Sequence, residues 1–170
     1  AAEAQITPVE AIIRERLGSL VFGTDDDELQ HAVARLLAEK QKTVAVAESL
    51  TGGLVMNRLC QIPGISAHFL GGCVAYANEA KVSQLDVPEK LLSQHGAVSA
   101  AVAEAMAKGA RARFATDLAI STTGIAGPGG ATETKPVGLA YVGIAGPDGV
   151  TSHQVNAIMP HRLDIMNRVA

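Results

Sequence analysis

Residues 43–47, Thr-Val-Ala-Val-Ala, form a short apolar run with β-branched side chains, and the run stops abruptly at Glu-Ser-Leu-Thr-Gly-Gly, residues 48–53. A run of this kind, without polar alternation, reads as a strand buried on both faces. Such a strand needs helices above and below it, so an α/β class is expected. With 170 residues, 48% of them hydrophobic, the chain can form one well-buried core. Aromatic residues are only 3% and Trp is absent. The dominant Ala, Gly and Val suit helices packed closely on a sheet rather than platforms for stacking bases.

The remaining segments fit this class. Residues 8–17, with Pro8 in a first-turn position, read as a short helix. The acidic stretch 24–28 caps a second helix whose Leu29, Val33, Leu36 and Leu37 share a face. After the 43–47 strand, residues 49–64 read as a helix ended by Pro63 and Gly64. A strand over 68–77 leads to a short helix capped by Asn78 and stopped before Pro88. Residues 88–96 read as a further turn, and 99–114 as an Ala-rich helix capped by Ser99, with Glu104 spaced to meet Lys108. Strand 116–124 runs into a glycine-rich loop, strands 137–146 and 150–158 form a hairpin around Pro-Asp-Gly, and a last helix follows Pro160. The expected architecture is a three-layer α/β/α domain with a mixed, mostly parallel sheet.

Composition narrows the function. A net charge of −3 with scattered Lys and Arg leaves no electrostatic footprint for nucleic acid. Cys60 and Cys73 have neither C-x-x-C spacing nor paired histidines, so no disulfide framework and no metal site are expected, and both read as core filling along with the methionines. Their scarcity fits a reducing, cytoplasmic setting. Neither a leader peptide nor a membrane span is legible. The chain starts at Ala-Ala and stops inside an apparent helix, and so reads as a piece of a longer one.

In α/β sheets ligands collect where strands end and helices begin. Three segments bring polar groups there: Ala47–Gly53, Ala75–Lys81 and Ser121–Gly130. In the first, Ser49 or Thr51 caps the next helix, or Ser49 is a nucleophile beside unpaired N–H groups of Thr51, Gly52 and Gly53 that hold an oxyanion. It is not a G-x-S-x-G elbow, since Ala47 replaces the first glycine. In the second, Tyr76 and Lys81 are either a strand-end tyrosine and a solvated lysine, or a proton relay and a general base of depressed pKa serving Ser49. In the third, the glycines can form an anion nest, and Thr122 and Thr123 can donate hydrogen bonds. Arg162 and Arg168 can meet a phosphate. Glu48 is either a structural partner or a site carboxylate.

Together, AESLTGG, YANEAK, STTGIAGPGG and KPVGLAYVGI resemble the CinA C-terminal domain family, which includes stand-alone nicotinamide mononucleotide amidohydrolases; the resemblance covers about residues 40–168. It implies residues 1–40 as a helical lead-in from another domain and 41–170 as the amidohydrolase-like domain. It further implies hydrolysis of nicotinamide mononucleotide to nicotinate mononucleotide and ammonia, with no cofactor. Ser49 would be the nucleophile, Tyr76 and Lys81 its catalytic partners, and Thr123, with its neighbour Gly124, and Arg162 substrate-binding groups. Leu50 departs from the family's frequent Cys or Ser, which bears on packing more than on chemistry. The implied partner is a small nucleotide, not nucleic acid or a membrane, and a homo-oligomer of two or more copies is expected. The alternative is a non-catalytic pyridine-nucleotide-binding or dimerisation module.

Overall fold

The computed structural model describes residues 2–170, with side chains from residue 4 onward. Its five strands, β1 (Val44–Glu48), β2 (Phe69–Val74), β3 (Leu118–Gly124), β4 (Leu139–Gly146) and β5 (Gly149–Asn156), form one sheet in the order β2-β1-β3-β4-β5. β1 pairs in parallel with β2 and β3, while the β3/β4 and β4/β5 pairs are antiparallel. Four strands therefore point one way and β4 the other. The sheet is mixed as expected and mostly parallel in strand direction, though its pairings divide evenly. The β4/β5 hairpin closes with Gly146 opposite Gly149, so Pro147 and Asp148 form a two-residue connection.

Every residue of β1 is buried, because its two faces meet different helical layers. Ala45 and Ala47 pack with Val102, Met106 and Ala110 of α6 (Ala100–Phe114) and with Leu85 of α4 (Asn78–Leu85). Val44 and Val46 pack with Leu37 of α2 (Leu29–Lys40) and Leu59 of α3 (Leu54–Cys60). A third cluster joins Leu50, Ala126 and Ala140 to Ile165 and Val169 of α7 (Arg162–Val169). Alternation of side chains along a strand divides the core in this way. α2, inside the span read as a lead-in, therefore contributes to the layer beneath the sheet.

Several boundaries differ from expectation for identifiable reasons. α1 (Ala2–Leu17) begins before Pro8 and carries it inside the helix, in a stretch rich in Ala, Glu and Gln. In α2 the buried side is Gln30, Ala32 and Leu37, while Leu29 and Leu36 are more than half exposed. Its first turn is closed by a capping box between Glu28 and His31 rather than by the aspartates. Residues 49–53 are a turn, not helix, because Gly52 and Gly53 take φ of 64° and 108°. Asn78 is the first residue of α4, with Ala77 at the N-cap and no side-chain cap. Residues 89–95 form a helix, α5, where a turn was expected. Ser99 does cap α6, accepting from the Val102 N–H, but Glu104 accepts from Ser152 Oγ at 2.7 Å, a tie from α6 to β5. Cys60 is exposed and Met159 is 43% exposed, so neither fills the core.

At the N-terminal ends of β1 and β3, Asp117 accepts from the Thr43 N–H and hydroxyl, both at 2.9 Å, and from Lys42 Nζ at 3.1 Å. These bonds to its charged form pull the carboxyl down to about 2. On the helical side, α4 approaches α6 at Gly109, where a Cβ would lie 1.9 Å from the Leu85 carbonyl oxygen. Gly109→Ala is expected to cost about 2 kcal/mol of stability through overpacking, outweighing the ~1 kcal/mol gain in helix propensity, as read by urea unfolding.

Candidate active site

The parallel register aligns the ends of three strands: Glu48 lies opposite both Val74 of β2 and Thr122 of β3. The next residues along each chain segment, Ser49, Ala75 with Tyr76, and Thr123 with Gly124, therefore emerge side by side. All but the buried Ala75 form one wall of a cavity of about 290 Å³ lined also by Leu50, Lys81, Val98, Ile125, Gly127 and Arg162. Apolar walls with a few convergent polar groups are the usual make-up of a small-molecule site.

Lys81 is the most buried cation in it, at 1% exposure. One turn into α4, its chain runs back toward the sheet, and Nζ lies 3.2 Å from Ser49 Oγ, 2.9 Å from the Ala75 carbonyl and 3.0 Å from the Tyr76 carbonyl. A protonated amine donates to all three; a neutral amine has two N–H groups, which the two carbonyls can take, leaving its lone pair for the Ser49 hydroxyl. Burial lowers the Lys81 pKa from the ordinary lysine value, opposed in part by the Glu79 carboxylate. The lysine read from sequence as a possible solvated side chain is thus a core residue aimed at the serine.

Tyr76 does not stand between them. Its side chain is 57% exposed, and its hydroxyl accepts from Arg162 Nη2 at 2.5 Å, while Nη1 of the same guanidinium donates to the Gly127 carbonyl at 2.6 Å. What Tyr76 offers Lys81 is its backbone oxygen, so Ser49 Oγ and Lys81 Nζ meet with no side chain between them. Arg162 in turn ties the first residue of α7 to the loop after β2 and the glycine loop after β3 at the cavity rim. Arg168, at the other end of α7, is exposed and does not line the cavity.

The turn after Ser49 is also organised differently from the sequence reading. Thr51 is fully buried with its hydroxyl 2.6 Å from that of Thr122, away from the cavity. The Gly52 N–H donates to the Ser49 carbonyl and the Gly53 N–H to Glu48 Oε2, so neither amide is open to an oxyanion. Gly52 and Gly53 thus spend their amides on closing the turn, while the Thr51 N–H is left unpaired among the described residues, and none of the three lines the cavity. Among the described residues the Leu50 N–H has no hydrogen-bond partner, and Leu50 does line the cavity. Thr123 lies in the wall, but its hydroxyl donates to the Ala97 carbonyl at 2.8 Å, which leaves it an acceptor toward the cavity. Glu48 is the structural partner, its carboxylate taking the amides of Gly53, Val55 and Met56.

Ala97, Val98 and the Ala75 carbonyl carried no signal in the sequence; they reach the site through the packing of α6 and the end of β2. No histidine lines the cavity. Among the described residues no cluster of three His, Cys, Asp or Glu side chains is placed to hold a metal, and no helix is long and apolar enough to cross a membrane.

The fold and this strand-end cavity define a mixed-sheet α/β domain with a serine and a buried lysine in contact, and comparison with known proteins gives the family. The model of the CinA C-terminal domain matches residues 26–170, and the chain belongs to that family. A CinA-like protein of Thermosynechococcus vestitus is 57% identical over 143 residues, 83% of this chain and 34% of that protein. One from Gemmatimonas aurantiaca is 44% identical over 170 residues, 99% of this chain and 39% of that protein. The chain thus spans little more than a third of the length of these relatives. Among solved structures, the competence/damage inducible protein CihA from Agrobacterium tumefaciens superposes with a TM-score of 0.80 at 37% identity, covering 87% of this chain and 91% of that one. The competence damage-inducible protein A from Klebsiella pneumoniae superposes with a TM-score of 0.78 at 29% identity, covering 83% and 88%.

The depressed Lys81 pKa has a signed consequence for folding. Unfolded, the lysine binds its proton up to the ordinary value of 10.5; folded, it releases it at lower pH. Stability should therefore rise with pH across the interval between the two, where the unfolded chain holds more protons. Lys81→Met should lack this rise, which unfolding titrations of both proteins over the alkaline range will read.

Proposed function

We propose that this domain is an amidohydrolase that removes ammonia from the carboxamide of nicotinamide mononucleotide, with Ser49 as nucleophile and Lys81 as general base. The observation that carries the reading is the buried Lys81 amine, directed by two backbone carbonyls so that its remaining position faces Ser49 Oγ. Family membership supports the substrate, because three of the four motifs that carry the resemblance, those of Ser49, of Tyr76 with Lys81 and of Thr123, line the cavity.

In this scheme neutral Lys81 takes the Ser49 proton as Oγ adds to the amide carbon. The resulting oxyanion lies near the free Leu50 N–H, a donor whose counterpart in other acyl-transfer sites is worth about 3 kcal/mol. Lys81 then gives its proton to the departing nitrogen, and ammonia leaves an acyl ester on Ser49. Water, deprotonated by Lys81, adds to the ester, and collapse returns the proton to Ser49 and frees the acid. One amide and one water give one acid and one ammonia. The Thr123 hydroxyl can accept from the carboxamide NH₂. Arg162 and the glycines at 127, 129 and 130 line the end of the cavity suited to a phosphate.

Ammonia release from nicotinamide mononucleotide tests the reading. Ser49→Ala and Lys81→Ala should each reduce kcat by about 10³-fold or more, as when a nucleophile or its base is removed elsewhere. The parent's kcat/KM should rise with pH through the depressed lysine value. Arg162→Ala should raise KM more than it lowers kcat, since its contact is to a remote group. Saturable nucleotide binding without ammonia release by the parent would overturn the amidase in favour of a binding module.

A further inference from the structure

Glu48 takes no part in the chemistry above, yet it is fully buried and directly precedes the nucleophile. Its Oε2 accepts from the Gly53 N–H at 2.8 Å and the Val55 N–H at 3.2 Å, and its Oε1 from the Met56 N–H at 2.8 Å. Three amides and the positive end of the α3 dipole offset the cost of burying the charge. An ordinary cap would come from the residue at the start of the helix, but that residue is Gly53, which has no side chain to offer. The cap comes instead from the end of β1, five residues upstream.

That reach closes residues 49–53 into a loop held at both ends. On the sheet side, the Ser49 N–H donates to the Thr122 carbonyl at 3.0 Å, and the Thr51 and Thr122 hydroxyls meet at 2.6 Å. On the helix side, Glu48 holds Gly53, Val55 and Met56. Ser49 is the first residue of this loop, so its Oγ position is set by where the carboxylate anchors the helix. We propose that Glu48 is the positioning residue of Ser49: by fastening the N-terminus of α3 to the end of β1, it holds the serine hydroxyl against Lys81. This rests on Ser49 being the nucleophile, but not on which amide is hydrolysed.

Glu48→Gln keeps the side chain's size and replaces one accepting oxygen with an NH₂ that faces amide donors, so the anchor loosens. A shift on the order of 1 Å in a nucleophile costs about 10²-fold in rate. Glu48 lies outside the cavity wall, so nucleotide binding should be unchanged.

Covalent modification of Ser49 by phenylmethanesulfonyl fluoride, followed by intact mass, separates positioning from substrate choice. Ser49 Oγ bonds to sulfur, fluoride leaves, and Lys81 takes the proton. Measured well below the melting transition, Glu48→Gln should react about 10- to 100-fold more slowly than the parent across the pH range, with the same affinity for nicotinamide mononucleotide by calorimetry. A role confined to stability would lower the melting temperature and leave this rate unchanged. Parental reactivity in Glu48→Gln, with the parent modified at Ser49, overturns the positioning role alone and leaves the amidase reading standing. If the parent is not modified at Ser49, both fall. Should Glu48→Gln fail to melt cooperatively, Glu48→Asp decides, since it keeps the charge but is one methylene shorter. Slower reaction than the parent supports the role, and an equal rate overturns it.

Discussion

The arrangement depends on one buried amine. Burying a lysine is costly, and this one is accommodated because the strand-end backbone offers two carbonyls to its hydrogens and a serine to its third position. Those carbonyls exist as free acceptors because β2 stops at Val74 while the chain continues past the end of β1. The close approach of α4 to α6 brings the lysine stem inward. The same desolvation that costs stability makes the amine a base at lower pH, so the energetic cost and the chemical capacity come from a single placement.

Around that amine the sheet imposes order. Parallel pairing of β1 with β2 and β3 makes three chain segments leave the sheet at one edge, and each contributes a different kind of group: a hydroxyl, a pair of carbonyls, and a glycine loop. The antiparallel β4/β5 hairpin adds nothing to the chemistry directly. It extends the sheet on the far side and, through Ala140 and its neighbours, gives α7 a surface to rest on. α7 in turn brings Arg162 to the rim, where it bridges the Tyr76 hydroxyl and the Gly127 carbonyl.

Much of this was legible beforehand. The buried β1 run, the alternation of strands with helices and the Ser99 cap follow local rules of pattern and hydrogen bonding, and the structure has them. Ser49, Tyr76, Lys81, Thr123, Gly124 and Arg162 do line one cavity. The roles were less legible than the positions. Tyr76 reads in sequence as either a strand-end tyrosine or a relay between Ser49 and Lys81, and in the fold its ring turns outward to a guanidinium 86 residues away. Thr51, Gly52 and Gly53 read in sequence as oxyanion donors because they precede a helix, yet the Gly52 amide turns back to the Ser49 carbonyl and the Gly53 amide to a carboxylate from the preceding strand.

The sequence by itself determined what short-range chemistry controls: which runs are strands, where glycine breaks the chain after Ser49, and which residue types stand at strand ends. Periodicity and backbone sterics act over a few residues, so they can be read along the chain. Only the tertiary structure decided which hydrogens meet which acceptors. Whether Lys81 is solvated or buried, whether Tyr76 faces Lys81 or Arg162, and whether an amide is free or taken by Glu48 all depend on partners brought together by the sheet register and helix packing. Hydrogen bonds are satisfied in space, within about 3 Å, and nothing in the local spacing of residues specifies that distance.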